Sequence, residues 1–572
     1  MQTGGGGPRT ESPDAVTLEV FRHLFTALAE EMGASLRRAS FSPNIKERRD
    51  YSCALFDARG VAVALGDHMP VHLGAMPMSV EAALRELGRL APGDVVILND
   101  PFRGGTHLPD ITLVAPVYLP GAPSELDAAG TPGLLAYVAS RAHHSDVGGM
   151  SPGSMPLARE IYQEGLRIPP VRLYRRGVRN EELWETLLAN VRTPVERAGD
   201  LDAQLAALHT GRMRLLEIVE RRGTDDVRRA MQGLIEYADR LVAAGVRLIP
   251  DGRYEADDLM DDDGFGSGPV PVRVAMDVRG ERLAFDFSGT APQTPGGINA
   301  VAAITSSATR YVVRCIVETL LGTPLPAGGG SMSGVDLRLP DSSLVNASPP
   351  ASVAAGNVET SQRITDVLLQ AFAQAIPDLA PALSQGTMNN TTVGGLDPRT
   401  GDTFAYYETV GGGMGAAPGG PGLSGVHSHM SNSLNTPVEA LEHAYPFRVV
   451  HYSVRRGSGG EGLHRGGDGL RRDIQLLTDG RVTLLTERRA RGPRGGRGGQ
   501  DGAPGRNVLI REGGKGEEEE LPGKITFDAR AGDVISVRSP GGGGWGVDPS
   551  SSGSSGREGR KEGDSREEDG FQ

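Results

Sequence analysis

The sequence predicts an α+β fold, multi-lobed, with β-rich, glycine-heavy regions and amphipathic helices set among them. Three observations carry this expectation. Apolar residues recur at steps of three and four over several long stretches. Short apolar runs bounded by turn residues alternate with those stretches. Glycine (81 residues) and proline (39) are so frequent in the 572-residue chain that many turns and close backbone approaches are required.

The first helix is expected over about Asp14 to Arg38. Leu18, Phe21, Phe25, Leu28, Met32 and Leu36 form one apolar stripe, and Ser12 and Asp14 flank Pro13 as a cap with a first-turn proline. Cys53–Asp57 and Val61–Leu65 read as a hairpin across the turn Asp57-Ala-Arg-Gly60. Val95–Leu98, Ile111–Tyr118 and Leu134–Ser140 read as buried strands, with a Pro/Gly/Ala loop over Leu119–Gly133. Helical text runs from about Asn180 to Arg222 and again from Asp225 to Val246. Val270–Arg279 and Arg282–Phe287 pair as strands, and helices are expected over Thr305–Leu321 and Thr360–Ala375. From about Thr387 the text is glycine-rich with short β segments, ending in Asp533–Arg538 and the turn-rich Pro540–Gly546. Residues 1–13 and 548–572 lack apolar periodicity and are expected to be disordered tails.

A net charge of -13 argues against nucleic acid or an anionic membrane as partner, because phosphate contacts need clustered cations. Arg488, Arg489 and Arg491 read as a solvated loop. The two cysteines, Cys53 and Cys315, cannot make a disulfide framework or a cysteine-rich zinc site, which suits a cytoplasmic protein. No apolar run is long enough to span a bilayer, and Met1–Pro13 lacks the layout of a secretion signal.

The chemistry concentrates in two segments, Asn99–Asp110 and Ser140–Gly149. Each carries H-x-x-D at the mouth of an expected strand: His107 with Asp110, and His143 with Asp146. Two imidazoles and a carboxylate suit one divalent ion such as Mn, Fe, Co or Zn. The competing reading makes His143 and His144 packed, hydrogen-bonded residues under a loop. His68 and His72, separated by a proline, and Arg103 are candidate substrate-binding residues. Asp257, Asp258 and Asp261–Asp263 lack the closing glutamate of an EF-hand and read as a solvated acidic turn. His427, His429, Asn432 and Asn435 form a polar tract that either lines a pocket or serves as a structural loop. No phosphate-binding P-loop and no G-x-S-x-G nucleophile elbow occurs.

Taken as whole motifs, these segments resemble the hydantoinase B family, which includes B-type subunits of N-methylhydantoinases, the C-terminal half of 5-oxoprolinase and subunits of ketone carboxylases. The resemblance runs through Phe41–Cys53, Gly66–Gly74, Asn99–Asp110, Ser140–Gly149, Asn190–Pro194, Gly199–Gln204, Asp286–Thr290, Gly356–Gln362, Asn432–Glu442, Gly457–Gly460 and Pro540–Gly546. It covers about residues 14 to 547, with a metal-bearing part over about 40–250 and a β-rich part over about 251–547. It implies an A-type partner that binds ATP-Mg and phosphorylates the carbonyl of a small cyclic amide, while the B-type subunit holds the metal and completes the hydrolysis. A ketone carboxylase component and a non-catalytic scaffold are the alternatives. The implied ligands are His107, Asp110 and one of His143 and His144. His143 is preferred because it repeats the H-x-x-D spacing, and Asp146 is then a ligand or the partner that fixes an imidazole tautomer. Two departures from the family stand out: a long Leu119–Gly133 loop, and the missing asparagine at Ala327–Gly330.

Overall fold

The computed structural model describes residues 13–66, 68–121, 133–328, 330–511 and 516–547. The expected tails, Pro13 apart, the middle of the Leu119–Gly133 loop and Gly329 lie outside the described residues. Helices hold 31% of the chain and strands 26%, an α+β fold with several sheets.

The first helix spans Ala15–Ala39 and buries Leu18, Phe21, Phe25, Leu28, Met32 and Leu36, the stripe read from the sequence. Each such burial contributes about 1.5–3 kcal/mol. Asp14 is its cap, accepting hydrogen bonds from the Val16 and Thr17 amides, so Pro13 precedes the helix and is not in its first turn. The helix packs on Pro194–Arg222 and on the antiparallel sheet that carries the site. The expected helical stretch from Asn180 divides into Glu181–Ala189 and Pro194–Arg222. Proline cannot continue a helix but is favoured at its first position.

The site-bearing sheet has seven strands. Three adjacent strands, Tyr51–Asp57, Leu134–His143 and Asp110–Tyr118, are flanked on one side by Ala62–Leu65 and on the other by Val95–Leu98, Val171–Arg175 and Val178–Arg179. The strands reach further than the apolar runs, through Asp110 at one start and His143 at one end. A second sheet holds the expected hairpin, with Arg279 opposite Arg282, and two β-rich sheets follow in the C-terminal half. The helices Ala302–Leu321 and Ser361–Ala375 are present, the second entered through a π-helical turn at Gly356–Thr360. The largest apolar core runs from Leu18 to Leu485, and a separate one joins Val393 to Val537.

The glycine-rich end is packed backbone against backbone. A Cβ on Gly541 would lie 1.9 Å from the Ser458 carbonyl oxygen, and one on Gly542 2.1 Å from that of Met414. Glycine there permits hydrogen bonds such as Gly542 N to Gly467 O at 2.9 Å.

Two charged segments depart from the solvated reading. Arg488 is buried and paired with Asp258 (2.7 Å) and Asp366 (2.5 Å). Asp258 thus leaves the expected acidic turn for an internal network, because a buried carboxylate and a buried guanidinium each need the other. Asp263 is also buried and accepts the Phe265, Ser267 and Gly296 amides.

Candidate metal centre

The antiparallel register places Asp110 directly opposite His143 at the end of the sheet. The neighbouring strand leaves Asp50 beside them, its carbonyl accepting the His143 amide at 3.0 Å. His107 reaches the same point from the loop before Asp110. That loop is held by Asn99, which donates to Leu108 O (2.8 Å) and accepts from Ile168 N (2.6 Å). Gly105 lets it turn tightly, since a Cβ there would meet Asn99 O at 2.4 Å.

One ligand atom from each of His107, Asp110 and His143 lies within 4.8 Å of the others, and all three residues are buried. Ligand atoms around a tetrahedral ion at ordinary bond lengths stand about 3.4 Å apart, so the set must draw in to close on one. His107 Nε2 stands 3.2 Å from Asp110 Oδ1. Its Nδ1 lies 3.3 Å from Ala354 O, a carbonyl that can only accept. The proton therefore belongs on Nδ1, which leaves the Nε2 lone pair facing Asp110. Asn357 Nδ2 lies 2.9 Å from that Nε2. His143 Nε2 is buried with no hydrogen-bond partner, as is Asn357 Oδ1. Unpaired polar atoms so placed are costly unless a further ligand completes them.

Electrostatics favour the ligating forms of Asp110 and His143. Burial alone would raise the Asp110 carboxyl, but His107 and His72 outweigh it and hold it well below the usual range. Burial, with His107 beside it, holds the His143 imidazole well below its ordinary value, so it is neutral. Asp50 is pushed up to about 6 by burial, partly offset by Arg48 and increased by Asp110.

The other expected site residues fall in several places. His144, one residue on, turns to the opposite side, its Nε2 3.0 Å from Gln204 Oε1. Burial and Arg197 lower it to about 4. Asp146 pairs with Arg192 at 2.8 Å and accepts the Gly148 and Gly153 amides, so it braces its own loop. His72 joins the cluster's edge: its Nε2 is 3.5 Å from Asp110 Oδ2, and its Nδ1 is 2.8 Å from Ser52 Oγ. His68 stands apart, its ring 4.8 Å from that of Tyr51 and tilted by 54° to it, and 3.5 Å from Glu30. Arg103 is half exposed and paired with Glu86 on the surface, away from the cluster. In the polar tract, Asn432 donates to His68 O and Asn435 to Thr409 O, tying distant loops together.

Several neighbours of the cluster are not among the expected site residues. Asn44 Nδ2 donates to His143 O (2.6 Å) and lies 3.1 Å from its Nδ1. Tyr407 stacks on the His143 ring at 4.4 Å, and Arg48 lies over Tyr407 at 4.8 Å. Glu164 Oε1 accepts the Val353 and Ala354 amides, fixing the carbonyl that faces His107. Asn44 and Arg48 fall in Phe41–Cys53, one of the segments that carry the family resemblance, whereas Glu164 and Tyr407 fall in none of them.

Comparison with known proteins gives a consistent outcome. A profile described as Hydantoinase B/oxoprolinase matches residues 14–548. An uncharacterized protein of Methanocaldococcus jannaschii is 37% identical over 93% of this chain and 91% of its own length. The 5-oxoprolinase 1 of Arabidopsis thaliana is 39% identical over 93% of this chain, which spans only 42% of that protein. The putative B-type subunit of a D-/L-hydantoinase from a Pseudomonas species is 30% identical, with 93% and 90% covered. Among solved structures, an ATP-dependent caprolactamase from Pseudomonas jessenii aligns with a TM-score of 0.83 at 28% identity, covering 94% and 92%. An acetone carboxylase shares the fold, at TM-score 0.81 and 17% identity, covering 94% and 77%. Sequence and fold together thus agree over nearly the full described length: the chain belongs to the hydantoinase B/oxoprolinase family.

Proposed function

We propose that the protein is the B-type subunit of an ATP-dependent cyclic-amide hydrolase and holds one divalent metal at His107, Asp110 and His143. The convergence of those three buried side chains from two separate segments is the observation that carries the reading. The donor set, two imidazoles and a carboxylate, suits Mn, Fe, Co or Zn. When bound, such an ion supplies Lewis-acid polarisation of a carbonyl oxygen. The chain's own residues prepare for this: Ala354 O fixes the His107 tautomer, Asn44 and Tyr407 orient His143, and Thr106 and His72 hold Asp110. ATP-Mg and carbonyl phosphorylation are assigned to an A-type partner, as the subunit naming of the Pseudomonas relative suggests. A cytoplasmic setting accords with the two free cysteines.

The test is co-expression with an A-type partner, followed by metal analysis and ATP-dependent ring opening of hydantoin, 5-oxoproline and simple lactams. Metal should copurify near one equivalent, and His107→Ala should lose both metal and turnover. A metal-free complex with full activity, or an active His107→Ala variant, overturns the reading and favours a scaffold. The carboxylase alternative rests on fold alone, and bicarbonate-dependent ATP consumption with acetone would favour it.

A further inference from the structure

Glu359 is fully buried and lies two residues beyond Asn357 in the π-helical turn Gly356–Thr360. Its Oε1 accepts the Met388 amide at 3.0 Å and Asn390 Nδ2 at 2.7 Å. Neither bond reaches a candidate metal ligand directly, yet two routes lead from Glu359 to the two imidazoles.

The first route runs through Asn390, which is held in one orientation. Its Nδ2 also donates to Leu485 O at 2.9 Å, an atom that can only accept. Its Oδ1 therefore faces the Tyr407 hydroxyl, which donates to it at 2.9 Å. The antiparallel register, with Thr391 opposite Glu408, sets Asn390 and Tyr407 on one face of their sheet as diagonal neighbours. The Tyr407 ring in turn lies 4.4 Å from the His143 ring and only 10° from parallel to it. A carboxylate, an amide and a phenol thus stand in series behind His143.

The second route is the turn itself. It sets Asn357 Nδ2 2.9 Å from His107 Nε2. Its start is fixed by close packing: a Cβ on Gly356 would stand 1.9 Å from Asn299 O, and Gly356 N donates to Gly297 O at 3.0 Å. Its far end is fixed by the bonds to Glu359 Oε1 and by Thr360 Oγ1, which donates to Ile298 O. Turns of this wide kind recur at functional sites.

We propose that Glu359 is a positioning residue shared by both imidazoles of the centre. Through Asn390 and Tyr407 it sets the plane of His143, and through the π-helical turn it sets Asn357 against His107. The inference rests on the metal reading proposed above and extends it to a side chain that ligates nothing.

The test loads the full-length chain with Co2+ and reads two quantities. The visible absorption bands of the bound ion report its ligand geometry, and chelator competition reports its affinity. Glu359→Ala should displace the bands and weaken Co2+ binding by about 10- to 100-fold, the scale for a neighbour that orients a ligand. Glu359→Gln keeps a carbonyl oxygen for Asn390 and Met388, so it should restore the wild-type bands. Tyr407→Phe removes only the hydroxyl at the far end of the same series and should displace the bands by itself. The double variant Glu359→Ala/Tyr407→Phe should bind Co2+ no more weakly than Glu359→Ala, because both changes break one chain of contacts.

A residue that served stability alone would leave the bands of the folded protein in place, so unchanged bands in Glu359→Ala overturn the proposal. Bands displaced equally in Glu359→Gln, or additive losses in the double variant, overturn it as well. If Glu359→Ala does not fold, Tyr407→Phe decides: displaced bands support the proposal and unchanged bands overturn it. If the wild type binds no Co2+, the metal reading falls and this inference with it. If the wild type binds Co2+ and the variants match it, only the role of Glu359 falls.

Discussion

Two buried polar clusters in this protein have opposite characters. Near the C-terminal sheets, Arg363, Arg488 and Lys524 meet Asp258, Asp366 and Glu487, three cations with three anions. Isolated atoms such as Arg363 Nε lack a hydrogen bond, yet every charge has an ion partner. At the end of the seven-stranded sheet, His107, Asp110 and His143 offer the donor atoms of a metal site, and His143 Nε2 and Asn357 Oδ1 have no partner. The first cluster is complete as it stands and joins elements remote in sequence. The second, on the function proposed above, is completed by a metal. Unpartnered atoms occur in both, so burial and missing hydrogen bonds alone do not mark a functional site; the first set holds matched charges, the second the donors of a metal.

The sharpest test of the contrast removes one anion from the incomplete cluster. Asp110→Asn should lower metal content and turnover at least about 100-fold, because it withdraws the only carboxylate of the set. Circular dichroism should show the fold retained. An active, metal-replete variant would erase the distinction between the clusters.

In the complete cluster the loss should appear as stability. Arg363→Met leaves Asp258, Asp366 and Glu487 short of a cation and should cost about 3–5 kcal/mol in urea unfolding. Metal bound per folded molecule should not change.

Glu164 gives the contrast a pH dependence. Burial raises its carboxyl to about 7, against the bonds from Ser352 and the Ala354 and Val353 amides. Because the folded value lies above the unfolded one, the native state favours the protonated acid. Its contribution to stability is therefore full below about pH 4.5 and falls as pH rises toward 7, by up to about 3 kcal/mol. Glu164→Gln should flatten that part of the stability profile relative to wild type. Parallel profiles for the two proteins would remove Glu164 as the source.

The smallest effect is expected at Asn357. Its replacement by alanine should weaken metal binding by about 10- to 100-fold in a chelator competition, the usual scale for a neighbour that orients a ligand. An unchanged affinity would make Asn357 a packing residue only.

Much of this architecture is legible along the chain. The stripe from Leu18 to Leu36 repeats with the helical period, and the hairpin at Asp57–Gly60 carries its own turn residues. Strand ends are harder to see. Asp110 and His143 are paired strand residues although neither is apolar, because the ladder continues wherever backbone partners exist. His72 and Arg103 look alike as loop residues beside glycine or proline. One lies against Asp110 and the other on the surface with Glu86. Arg488 sits in text that resembles a solvated loop, and only its distant partners Asp258 and Asp366 explain its burial.

The sequence by itself determined the long periodic helices, the apolar strands and the inventory of imidazoles and carboxylates, because periodicity and residue chemistry are local properties; the strand Gly252–Met260, read as an acidic turn, was not among them. The tertiary structure decided which members of that inventory meet. Strand alternation turned His143 toward Asp110 and His144 toward Gln204, and a turn some 250 positions away delivered Asn357 to His107. Such convergence depends on register and packing between distant segments, which no short stretch of chain encodes.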